Sequence, residues 1–249
     1  MGIFRFVPVA GLVALIFAAM PARGLAQSAS FEIAQNGHAV GAASFKFAPA
    51  AQGVDSSSLM KVSMQGLNYA LSKDERLSPA NQLEHAQLNA IVNGQAVNVI
   101  VKPDAAQILV NISASGKSTT TRLAAHANAV LLADFDPGGW ETLLTLAAMN
   151  NNRDLWAILP KQAGSIEQVK LATYADQEGT LDDKPITVHH LVATIAGAST
   201  DLFSGPQNQL LQAELPQPGL ALVRKGFALK PPAKPVVPMD GGQSAPPTS

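Results

Sequence analysis

The sequence predicts a mainly β protein, a curved antiparallel meander sheet or open half-barrel with one amphipathic helix inserted in mid-chain. Three observations lead there. Apolar residues recur with period two through most of the chain, turn pairs such as Asn-Gly rather than helices join the strand-like runs, and a single segment switches to helical spacing.

The opening "MGIFRFVPVAGLVALIFAAMPARGLAQSAS" reads as a secretory signal peptide. Arg5 is the one charge before an apolar run, Phe6 to Met20, of about 15 residues, shorter than the ~20 that span a bilayer. Pro21 breaks the run, and Gly24 and Ala26 are the small residues that signal peptidase accepts three and one before its cut. Removal of residues 1–26 would place the chain in the periplasm or outside the cell, with no transmembrane segment left. The chain contains no cysteine, so a lipid-bearing Cys and a disulfide framework are both excluded. Stability then rests on the core, and a chain near 200 residues can bury roughly 70% of its unfolded surface without covalent staples. Without Arg5 and Arg23, 15 of the 17 basic residues remain against 18 acidic ones, a net charge of −3. With no basic surplus to neutralise phosphates, nucleic acid is not an expected partner.

Residues 27–230 are expected to form one β domain. In "FEIAQNGHAVGAASFKF", Phe31 and Ile33 share one strand face, Asn36-Gly37 makes a tight turn, and Ala39, Gly41, Ala43, Phe45 and Phe47 alternate on the return. "LMKVSM" sets Met60, Val62 and Met64 against Leu59, Lys61 and Ser63. A second hairpin turns at Asn93-Gly94, and a late one joins "QLLQAELP" to "LALVRKGFAL" through Gln217-Pro218-Gly219. The helix is expected at about 137–150, in "DFDPGGWETLLTLAAMNNN". Asp136 is a good N-cap and Pro137 suits the first turn, where its missing N–H costs nothing. Trp140, Leu143, Leu144, Ala147 and Ala148 then form one apolar stripe, which the concave face of the sheet or the open end of a barrel would bury. The tail at 231–249, "PPAKPVVPMDGGQSAPPTS", has the composition of a disordered segment.

The stretch "VNISASGKSTTTRLAAH" contains Gly116-Lys117-Ser118, the end of a nucleotide-binding P-loop. The first glycine of that motif would fall at Asn111, and Thr119 to Thr121 favour a strand where a P-loop needs a helix. The segment reads as a hairpin turning at Ser115-Gly116-Lys117, and no nucleotide or other cofactor is expected. His189 and His190 are neighbours on a strand, so their rings face opposite ways and cannot chelate one metal ion. Asp176, Glu178, Asp182 and Asp183 surround a Gly179 that is misplaced for a calcium loop. Asp134, Asp136 and Glu141 suit the positive end of the helix dipole.

"NQLLQAELPQPGLALVRKGFAL", following "DLFSG", resembles the closing strands of exported bacterial β proteins of unknown function. The order of elements is also similar to the open half-barrels of periplasmic lipoprotein carriers. That resemblance implies a lipid-handling role without supplying catalytic residues. Two functions follow as expectations. The first is a non-enzymatic envelope protein that binds a lipid or amphipathic small molecule between sheet and helix, through Trp140, Leu143, Leu144, Met60 and Met64. The second is a secreted hydrolase built from Asp134, Asp136 or His190. A closed and filled barrel would instead indicate a module that binds another envelope protein.

Overall fold

Seventeen strands and one helix make up the described chain, residues 27–161 and 163–231 of a computed structural model. The segment read as a signal peptide and, apart from Pro231, the proline-rich tail lie outside the described residues. The first half is a meander of β1 (Gln27–Gln35), β2 (His38–Pro49), β3 (Val54–Met64), β4 (Leu67–Leu77), β5 (Leu83–Val92), β6 (Gln95–Asp104), β7 (Gln107–Ala114) and β8 (Lys117–Ala124). Each pairs antiparallel with the next. Its turns have the chemistry that two-residue hairpins demand: φ is +50° and +77° at Asn36-Gly37, +49° and +82° at Asn93-Gly94, and +50° and +74° at Ser115-Gly116. The Gly-Lys-Ser stretch is therefore a hairpin, with Lys117 already the first residue of β8.

The middle of the chain departs from the meander. β9 (Ala129–Leu131), α1 (Pro137–Met149) and β10 (Leu155–Leu159) follow, and β9 runs parallel to β10 with the helix as the crossover. Antiparallel pairing then resumes through β11 (Ser165–Thr173), β12 (Gln177–Leu181), β13 (Lys184–Ile195), β14 (Ala198–Ser204), β15 (Leu210–Glu214), β16 (Leu220–Arg224) and β17 (Phe227–Leu229). The final apolar run, expected as one strand, breaks at Lys225-Gly226, where Gly226 has φ +81°. β16 pairs with β15 and β1, whereas β17 crosses to β12.

Pairing of β1 with β16 joins the two halves into one sheet. Among the described residues β8 pairs only with β7 and β9 only with β10, so the sheet does not close. The main core lies on its inner face, with Phe31, Phe45, Val62, Leu88, Val101 and Val110 among its residues. A smaller cluster of Val188, Phe203, Leu211 and Phe227 sits under β17.

The helix begins as its sequence dictates, with Asp136 Oδ1 accepting from the Gly138 N–H at 3.0 Å. It packs on β2, β3, β9, β10 and β15. The sequence implied one buried stripe ending at Ala148, but Ala148 is exposed, whereas Gly138, Gly139, Glu141, Thr142 and Leu146 are buried along with Trp140, Leu143, Leu144 and Ala147. Elements on several sides enclose the helix, so nearly its whole circumference leaves water.

Candidate functional site: a groove across eight strands

A large concavity lies on the face opposite the core. It is an open groove of about 1110 Å³ that crosses β1 to β8 at right angles to the strands. Cross-strand register explains its make-up. One row of outward positions runs Ser44, Leu59, Ser72, Asn89, Asn98, Ser113, Ser118, each directly opposite the next. The row beside it runs Ala42, Lys61, Ala70, Ile91, Ala96. Small side chains in both rows leave the trough, and Leu59 and Ile91, 62% and 54% exposed, give it an apolar surface. They are two of only four large hydrophobic residues this exposed among the described residues.

Much of the polar row satisfies itself. Asn98 Nδ2 donates to Asn89 Oδ1 at 2.7 Å, and the Ser113 and Ser118 hydroxyls are 3.0 Å apart. The charges lining the groove are of one sign: Lys61, Lys117 and Lys225 contribute to its wall, and no Asp or Glu does. The hairpin that imitates a P-loop forms one end of the trough, but Lys117, opposite Ala114, is in register with the core-facing row. No His stands beside the lining hydroxyls to activate them.

A second polar cluster is sealed inside. Ser56 faces Glu75 across β3 and β4, and Ser58 faces Lys73. Lys73 Nζ forms ion pairs with Asp136 and, at 3.2 Å, with Glu75. Burial alone would lower the Lys73 pKa, but the carboxylates of Asp136 and then Glu75 outweigh it and hold the ammonium above its ordinary range. Burial pushes Glu75 up, against the pull of Lys73. A serine opposite a lysine suggests a nucleophile and its base, yet a lysine held protonated has no lone pair to accept a proton, and neither Lys73 nor Asp136 is reached by solvent. The cluster is a tether between sheet and helix. Sequence reasoning missed it because Lys73 and Glu75 occupy inward positions of a strand that reads "SKDER".

Glu141 is a third buried carboxylate. It accepts from the Leu210 N–H at 2.6 Å and from the Gln27 side chain, tying the helix to β15 and to the start of β1. Burial raises its pKa, although these two hydrogen bonds and Arg224 oppose the shift.

The residues picked out in the sequence fall as follows. Trp140, Leu143, Leu144 and Met60 belong to one core cluster, and Met64 packs against it. Leu143 and Leu144, 0% and 3% exposed, are filled round by other side chains. Trp140 edges a pocket of about 140 Å³, and Met60 underlies the outer groove. A cavity of about 300 Å³ does lie between helix and sheet, but beside Thr142 and Thr145 rather than the leucine stripe. Asp134 is paired with Lys161 at 2.8 Å on the surface, and Asp136 is spent on the buried tether. His190 has Asp201 at 2.7 Å from Nε2 and Gln177 at 3.5 Å from Nδ1, with its ring against Phe203 and Tyr174. His189 faces the other way, to Asp176 at 2.9 Å. Each of the three candidate hydrolase residues has its own separate partner. Comparison with protein-family models, curated proteins and solved structures finds no match for this chain.

Proposed function

We propose that this is a non-catalytic protein of the bacterial envelope that binds an amphipathic, lipid-like ligand in the groove across β1 to β8. The observation that carries the reading is the trough itself, floored by Ala42, Ala70, Ala96, Leu59 and Ile91 on the face away from the core. Its volume, about 1110 Å³ as an open trough, lies just above the roughly 300–1,000 Å³ usual for ligand pockets. A saccharide is a poorer fit: no Trp or Tyr lines the groove to stack on a sugar ring, and several of its amides and hydroxyls already bond to one another. A hydrolytic role has less support, since the buried lysine is held as an ammonium and both nitrogens of His190 have partners.

The test is a titration of the full-length protein with a dansyl-labelled undecanoic acid, read by fluorescence. Saturable binding is expected. A Leu59→Ser, Ile91→Ser double variant should keep its unfolding midpoint, because both side chains are exposed, and lose about tenfold or more in affinity, equivalent to ~1.4 kcal/mol. Unchanged binding by that variant, or none by the parent, overturns the reading. Binding lost only on changing Thr142 and Thr145 would move the site to the cavity beside the helix.

A further inference from the structure

Resting on that reading, we infer that the ligand is a single-chain lipid with a phosphate head, the head lying at the β1–β3 end of the trough between Lys225 and Lys61 and the chain running across β3 to β6. Register separates the two regions. One outward row runs Ser30, Ser44, Leu59, each directly opposite the next. Lys225 adjoins its start, its N–H donating to the Ser30 carbonyl at 2.9 Å. The row beside it carries Lys61 between Ala42 and Ala70. Both lysines line the groove, and neither forms an ion pair among the described residues. The far end offers no such charge. Lys117 is in register with the core-facing row there, Asn98 is bonded to Asn89, and the Ser113 and Ser118 hydroxyls are bonded to each other.

Charge selects the head. Two ammoniums flanking the Ser30 and Ser44 hydroxyls suit a phosphate monoester, which carries more than one negative charge near neutral pH and accepts hydrogen bonds on three oxygens; a carboxylate would satisfy one of them. Glu32 stands beside this end, opposite Ala42, but is not part of the groove wall, and the two lysines outweigh it. The dimensions select the chain. From Leu59 on β3 through Ala70 and Ile91 to Ala96 on β6, the outward apolar stretch crosses three interstrand spacings, about 14 Å at ~4.8 Å each. One acyl chain fills half of a hydrocarbon core of ~30 Å, or about 15 Å. Rows two residues apart along a strand lie about 7 Å from each other, room for one chain and not for two side by side. Lys61 can lay its four-carbon stem on that chain while its ammonium reaches the head.

The experiment displaces the dansyl probe from full-length protein with hexadecanoyl lysophosphatidic acid and, separately, with monohexadecanoylglycerol, which has the same chain and no phosphate, at low and high salt. The phosphate lipid should compete about fivefold better or more, fivefold being the upper end for one exposed ion pair, and high salt should shrink the gap. Lys61→Gln and Lys225→Gln should each narrow the gap and together abolish it. Lys102→Gln, at an exposed position of β6 outside the groove wall, should leave it unchanged. Equal competition by the two lipids overturns the head-group assignment and leaves the groove reading standing. A gap that survives in the double lysine variant, or that Lys102→Gln narrows as much, overturns the placement of the head. Hexadecanoic acid competing as well as the phosphate lipid overturns the choice of phosphate over carboxylate. Failure of both glycerol lipids to displace a bound probe overturns the ligand class, and a probe that does not bind removes the groove reading as well.

Discussion

Lys73, in the middle of β4, meets Asp136, the residue that caps α1, with both side chains at zero exposure. The pair fixes the start of the helix to the sheet. Asp136 divides its carboxylate between two tasks, one oxygen on the Gly138 N–H and the other on the ammonium. Removing one partner of such a pair costs more than the pair contributes, because a buried charge is left alone.

Lys73→Met should therefore destabilise the fold by about 3–5 kcal/mol. Adding Asp136→Asn, which keeps a capping side chain, should recover part of the loss. Urea denaturation of the two variants checks both; a single variant as stable as the parent would show that the tether is dispensable.

Glu75 predicts a pH dependence. Burial raises its folded-state pKa above the ordinary 4.5, so the folded state holds its proton more tightly than the unfolded chain does. The resulting stabilisation is full below 4.5 and is lost as pH rises through the folded pKa. Stability from this group thus falls with rising pH. Glu75→Gln should flatten that decline, with a residual slope from Glu141, whose pKa is also raised. Urea midpoints measured upward from about pH 4.5 give the answer.

Gly138 lets the helix approach β3. A Cβ at this position would stand 2.5 Å from Ser58 Oγ and 3.1 Å from the Phe45 Cβ. Gly138→Ala should cost about 1–3 kcal/mol through overpacking. Ser58→Gly, which removes the nearer obstacle, should relieve much of it. Strong non-additivity in the double-mutant cycle is the expected result, and simple additivity would place the strain elsewhere.

Glu141 and Gln27 should differ in their effects. Glu141→Ala strands the buried Leu210 N–H and should cost about 1–3 kcal/mol, whereas Gln27→Ala gives up one hydrogen bond worth about 1 kcal/mol. Hydrogen exchange at the Leu210 amide should accelerate in the first variant and change little in the second.

Much of this architecture was legible from local chemistry. Asn36-Gly37, Asn93-Gly94 and Ser115-Gly116 announced their hairpins because only a few residue types accept positive φ at both turn positions. Asp136-Pro137 announced the helix for a similar reason. β4 was opaque: its inward positions run Tyr69, Leu71, Lys73, Glu75, Leu77, so the apolar alternation stops where the buried ions begin. The groove could not be read at all, since Ala42, Lys61, Ala70, Ile91 and Ala96 become a row only once register is set between strands far apart in sequence. The parallel β9–β10 pair was hidden because a three-residue strand gives too short a pattern to show its direction.

The seam between β1 and β16 has a kinetic meaning. Residues 31–35 find their partners at 220–224, so β1 has one edge unfilled until β16 has been made. The hairpins of β2 to β8 form from near neighbours and are fast, whereas closing a loop that long is slow. Until β16 arrives, Phe31 and Ile33 sit on a strand that can pair with the wrong chain. Assembly of the sheet is thus timed by β16, and any truncation before Leu220 leaves β1 exposed as an adhesive edge.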